Sequence, residues 1–125
     1  MEYSVFKERF ERSLPVGAII QNPGGGSSEV VSYNNDAVAY RRGKSTMRAS
    51  LRVFFEAYVK HSGGSVSSRE LKSYLPEVFD SEARPAGHSC NCTFLFAALQ
   101  LMGLAGELSG RGVSGSPYSV VLVVE

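Results

Sequence analysis

Residues Gly63–Pro76 read GGSVSSRELKSYLP. Val66 sits in a short stretch suited to extended backbone. Ser67 is a good helix N-cap, and Glu70 three positions on completes a capping box. Leu71, Tyr74 and Leu75 then recur on one helical face, and Pro76 stops the helix. The pattern predicts a brief strand that runs directly into a capped helix.

The same periodicity continues on both sides. Upstream, Leu51, Phe54, Phe55, Tyr58 and Val59 make an apolar stripe over Ser50–His61, ended by SGG. Downstream, PEVFDSEARPAG reads as a connector, partly ordered by Val78 and Phe79. A helix follows from about Asn91 to Leu104, with Leu95, Phe96, Leu99 and Met102 on its apolar face. Ser89 or Asn91 is its expected N-cap, and Gly103 or Gly106 its C-terminal cap. GELSGRGVSGSPYSVVLVVE then reads as a hairpin, whose second arm, Tyr118–Val124, is the most strand-like run in the chain.

Before residue 50 the pattern differs. Tyr3, Phe6 and Phe10 mark an amphipathic helix over Tyr3–Leu14, ended by Pro15. VGAIIQ reads as a strand and NPGGGSS as a loop. EVVSY and AVAYRR form a hairpin around NND, and TMRAS follows the GKS turn as a further short strand.

The chain has 125 residues, 43% hydrophobic, 20% charged and 10% aromatic, with two cysteines and a formal net charge of +1. That is the size and composition of one globular domain, predicted over residues 1–125 with parts at 1–49 and 50–125. The first residues, MEYSVFKERFERSL, have neither the basic start nor the apolar core of a signal peptide. The longest apolar run, Thr93–Ala105, is interrupted by Gln100 and Gly103 and is too short to span a bilayer. Two cysteines one residue apart do not suit a disulfide framework. The expectation is a cytoplasmic protein with no membrane contact.

Charge is polarised along the chain. Arg41, Arg42, Lys44, Arg48, Arg52 and Lys60 face a single acidic residue, Glu56, between positions 41 and 60. Lys and Arg in such density neutralise phosphates and release counterions. The competing explanation is a solvated hairpin edge, where the same residues discourage edge-to-edge pairing.

From Ser50 onward the order is helix, short extended segment, helix, connector, helix, and hairpin with a Gly-rich tip. That order resembles a winged-helix domain, a variant of helix-turn-helix, over residues 50–125. GGSVSSRELKSYLP is similar to the first strand and second helix of that fold, and GELSGRGVSGSPYSVVLVV to its wing. The resemblance implies that the third helix enters a DNA major groove. Here that helix offers Asn91, Thr93 and Gln100 but no Lys or Arg, and the connector before it is acidic. GGGSSEVVSYNNDAVAYRRGKSTMRASL is also similar to segments of small uncharacterised bacterial proteins of integron cassettes and restriction-associated mobile elements. It carries no catalytic residues over.

GHSCNCTFLF, Gly87–Phe96, holds the remaining chemistry. His88, Cys90 and Cys92, with the distant His61, form a conceivable zinc ligand set, but the C-x-C pair is unusual for zinc. A cysteine at a helix N-terminus gains nucleophilicity from the dipole. No histidine follows Cys92, however, and His88 is too close in sequence to align as a base. The bland reading takes the weight: a capped entry to a core helix, with the thiols as small hydrophobes. RRGKS contains GKS at Gly43–Ser45, but Val38 stands where a P-loop needs glycine.

The expected fold is α+β: an N-terminal helix and a small antiparallel sheet packed on a winged-helix-like part with a C-terminal hairpin. The expected function is non-enzymatic binding of nucleic acid through Arg41, Arg42, Lys44, Arg48, Arg52 and the wing residue Arg111. No cofactor and no small-molecule substrate is identified. The alternative is a protein-interaction or oligomerisation module, such as a homodimer, using YSVVLVV or exposed aromatics such as Tyr40 and Tyr58.

Overall fold

The computed structural model describes residues 1–85 and 87–125. Ala86, in the predicted connector, lies outside the described residues. The fold is α+β. Helix α1 (Tyr3–Ser13) precedes four strands, β1 (Ile19–Gln21), β2 (Ser27–Asn34), β3 (Ala37–Arg42) and β4 (Ser45–Ser50). They form an antiparallel meander in the order β1-β2-β3-β4. The β2–β3 turn is Asn35-Asp36, with φ of 52° and 59°. Two consecutive positive φ values are what a two-residue hairpin of matching twist requires, and Asn and Asp tolerate them. Gly43, φ +62°, opens the β3–β4 turn for the same reason.

No loop separates β4 from α2 (Leu51–His61); Ser50 caps the helix by accepting a hydrogen bond from Val53 N–H at 3.2 Å. β5 (Ser65–Ser67) leads into α3 (Ser68–Tyr74), where both halves of the predicted capping box form. Pro76 does end α3, and it also opens a further short helix, α4 (Pro76–Phe79), since the first helical turn needs no N–H from proline. α5 (Cys90–Leu101) follows. β6 (Ser119–Val121) pairs with β5, and bridges at Ala105–Leu122 and Ser109–Ser119 bring the preceding chain to its other side.

α5 is the central element. Seven of its twelve residues are buried: Asn91, Cys92, Phe94, Leu95, Phe96, Ala98 and Leu99. A helix that is apolar most of the way round needs cover on several sides. Tyr40 of β3 stacks on Phe94 with ring centroids 3.8 Å apart, and Phe10 of α1 and Phe54 of α2 lie 6.4 Å from the same ring. One hydrophobic cluster therefore contains residues from both sides of position 50.

Three expectations change. Tyr40 and Tyr58 are not exposed; they are 0% and 2% accessible. Tyr40 lies on the inward face of β3, and the Tyr58 hydroxyl donates to Val123 O at 2.5 Å. Ser89 stands at the N-cap position of α5, but its side chain does not cap the helix. It instead meets Ser81, whose hydroxyl donates to Ser89 Oγ at 3.0 Å. Asn91 is no cap either. It lies inside the helix, where Tyr40 O–H donates to its Oδ1 at 2.6 Å and its Nδ2 donates to Val78 O at 2.9 Å.

Candidate nucleic-acid interface

A cleft of about 890 Å3 opens where the two sheets and the starts of α3 and α5 converge. Arg42 and Ser45, opposite each other at the end of the β3–β4 hairpin, form one wall. α3 forms a second wall with Ser68, Arg69 and Lys72. The spacing of these residues puts them on one side of the helix, while Leu71 turns into the core. Ser89, Cys90 and Thr93 of the α5 entry line the floor, and the hairpin segment Gly112–Tyr118 closes the remaining side.

Among the described residues, Arg42, Arg69 and Lys72 line the cleft and no aspartate or glutamate does. None of the three takes part in an ion pair among the described residues. Three cations that share a concavity and have no carboxylate to neutralise them set up a positive field there, focused by the low-dielectric walls.

The two thiols differ sharply. Cys92 is 1% exposed, and burial pushes its thiol pKa up to about 12. It is a buried hydrophobe. Cys90 is half-buried, lines the cleft, and its Sγ lies 3.5 Å from the Tyr40 hydroxyl. Burial, and then the neighbouring Cys90, hold the Tyr40 hydroxyl well above the ordinary tyrosine range, so it remains a protonated donor.

The histidines are elsewhere. His61 Nδ1 is 2.9 Å from Ala57 O, with its ring edge-on to Tyr74, and the His88 N–H donates to Val78 O at 3.1 Å. Neither lines the cleft. Among the described residues no three His, Cys, Asp or Glu side chains come together around a metal-sized point, so His61, His88, Cys90 and Cys92 do not converge.

Of the six basic residues singled out in the sequence, only Arg42 lines the cleft. Neighbours along a strand point to opposite faces, so Arg41 lies on the other side of the sheet, across from Glu29 and Thr46. Arg48 shares that outer face and donates to Asn34 O at 3.3 Å. Arg52 is at the α2 start, its guanidinium 4.1 Å from the Tyr3 ring centroid. Lys44 is exposed in the β3–β4 turn beside Ser45, and Arg111 is exposed next to the cleft-lining Gly112. Sequence reasoning missed Arg69 and Lys72. Their spacing of three on the face opposite Leu71 was the available signal.

No family model matches the chain, and no curated protein or solved structure matches it. Among the described residues no helix is long and apolar enough to cross a membrane.

Proposed function

We propose that this protein binds nucleic acid without catalysis, holding phosphates with Arg42, Arg69 and Lys72. Lys44 and Arg111 extend the basic surface at the cleft rim. The observation that carries this reading is the cleft itself: three cations, five serine hydroxyls and Thr93, with no carboxylate among the described lining residues. Hydroxyl and cationic donors are the groups that contact phosphate oxygens. The succession of α2, β5, α3, the short α4, α5 and β6, with β6 paired to β5, is in keeping with a winged-helix outline. The inward packing of α5 argues that phosphate contacts come from α3 and the β3–β4 hairpin rather than from a helix laid in a major groove. Two free thiols are consistent with a cytoplasmic protein.

The test is fluorescence anisotropy against DNA across a salt series. Affinity is expected to fall linearly in log–log form, with a slope of about −0.9 for each phosphate neutralised on duplex. Arg69→Ala combined with Lys72→Ala should weaken binding across all sequences and flatten the slope by roughly two. Undetectable binding at low salt would sink the reading.

A specific observation also favours a second reading, self-association. Val121, the last residue of β6, and Val123, two positions beyond it, are 60% and 47% exposed. β6 already has backbone partners on both sides, so such a contact would use side chains and not an added strand. A salt-insensitive dimer in light scattering, broken by Val121→Lys, is its expected signature.

A further inference from the structure

We infer that the cleft accommodates a nucleotide unit with an unpaired base, as in a single strand, and does not seat a duplex. This inference rests on the nucleic-acid reading and narrows it. Reading a duplex by direct contact calls for an element that projects into a groove. α5 does not project: the four-stranded sheet, α1 and α2 cover it, and Tyr40 stacks on Phe94. What remains is a concavity of about 890 Å3. That is the scale of pockets that engulf small ligands, roughly 300–1,000 Å3.

The lining is chemically divided. Arg42, Arg69 and Lys72 supply charge, whereas the terminal hairpin supplies Val113, Pro117 and the Tyr118 ring. Val113, Pro117 and Tyr118 lie together on the hairpin side of the cleft, across from the cations. A phosphate joined to a flat base has both kinds of surface. Proteins that bind single strands combine a cationic track with aromatic side chains on which bases stack.

The position of Tyr118 is built in. A Cβ on Gly112 would fall 2.4 Å from two ring carbons of Tyr118, and Gly112 has φ +72°. A Cβ on Gly110 would fall 2.0 Å from Pro117 O. The hairpin can press this closely on the Pro117-Tyr118 segment only because both positions lack side chains, so the ring is set before any ligand arrives.

The experiment compares a labelled oligothymidylate, a mixed-sequence duplex and thymidine monophosphate, all with the intact chain. The oligothymidylate should bind at least tenfold more tightly than the duplex. Tyr118→Leu keeps apolar volume but removes the π face, and should weaken oligothymidylate roughly fivefold to 150-fold. Its effect on the duplex should be small. A footprint on the unmodified protein guards against a variant that misfolds. Bound oligothymidylate should slow alkylation of Cys90 by iodoacetamide. An oligothymidylate far tighter than the monophosphate identifies the strand as the source, and equal affinities identify the free nucleotide; either, together with protection of Cys90, places the unit in the cleft. Duplex bound as tightly as the single strand, or oligothymidylate bound with Cys90 alkylated at an unchanged rate, overturns the inference and leaves the broader reading standing. Failure of all three probes overturns both.

Discussion

Two cysteines one residue apart in sequence behave as different chemical groups because they are buried to different depths. Cys90 faces the cleft. Cys92 lies beneath the cleft floor, 1% exposed, with its Sγ 3.6 Å from Phe79 O, and burial pushes its pKa up to about 12. A disulfide reagent applied to the folded protein is therefore expected to titrate one thiol, Cys90→Ser to abolish the reaction, and denaturant to release the second. Two equivalents from the native protein would contradict the packing. Asn91, between them, is 0% exposed and satisfied on both sides by Tyr40 and Val78. Tyr40→Phe leaves Asn91 Oδ1 unpaired and should cost about 1–3 kcal/mol in urea denaturation. Asn91→Leu should cost at least as much, since it strands a hydroxyl and a carbonyl together. Because the two residues share one hydrogen bond, the double variant should lose less than the sum of the singles.

At the scale of elements, α3 presents the cleft cations and is only seven residues long, too short to be stable by itself. Its capping box matters accordingly. Ser67 Oγ accepts from Glu70 N–H at 3.1 Å, and Glu70 Oε1 accepts from Ser67 N–H at 3.0 Å. Ser67→Ala should cost about 1 kcal/mol in a denaturant melt. Any ligand held by Arg69 and Lys72 should weaken in parallel, as their helix frays. This cap was legible in the sequence because it is wholly local, a pattern of four residues. The meander was legible too, from period-two strands and turn residues with the right backbone tolerance. The role of Asn91 was not. A polar residue at the start of an apolar helix reads as a cap, and only the arrival of Tyr40, 51 positions away, makes it an interior hydrogen-bonding group. The lining of the candidate cleft was only partly legible for the same reason. Arg42 stood out in a dense basic run, but the run divides between the two faces of the sheet. Arg69 and Lys72 sit on a short helix whose sequence does not reveal that β3–β4 and the Gly112–Tyr118 segment close around them.

At the scale of the whole molecule, the consequence of burying α5 centrally is that neither half of the chain supplies its own cover. Buried ionisable groups set one limit. Burial raises Tyr33, Tyr40 and Cys92 above their ordinary values, so the folded state holds their protons where the unfolded chain releases them. Their contribution is complete below the ordinary thiol value of 9.0 and is lost progressively as pH rises past it and past the tyrosine value of 10.0. Urea midpoints should fall through that window, and Tyr40→Phe should shallow the fall. Truncation exposes the architecture more directly. A fragment beginning at Leu51 retains α2 to α5, β5 and β6, and if that part were an autonomous unit it would fold. Yet it loses Phe6, Phe10 and Tyr40, all 0% exposed, from the cluster around Phe54 and Phe94. Removing one buried aromatic costs about 3–5 kcal/mol, and whole domains have about 5–15 kcal/mol in hand. Losing three at once, about 9–15 kcal/mol together, consumes most or all of that reserve. The fragment should show broad, poorly dispersed amide resonances and bind a hydrophobic dye, whereas the full chain gives a dispersed spectrum. A fragment with native dispersion would mean that the N-terminal helix and sheet are an addition to a self-sufficient fold, and that α5 has a face available for duplex DNA after all.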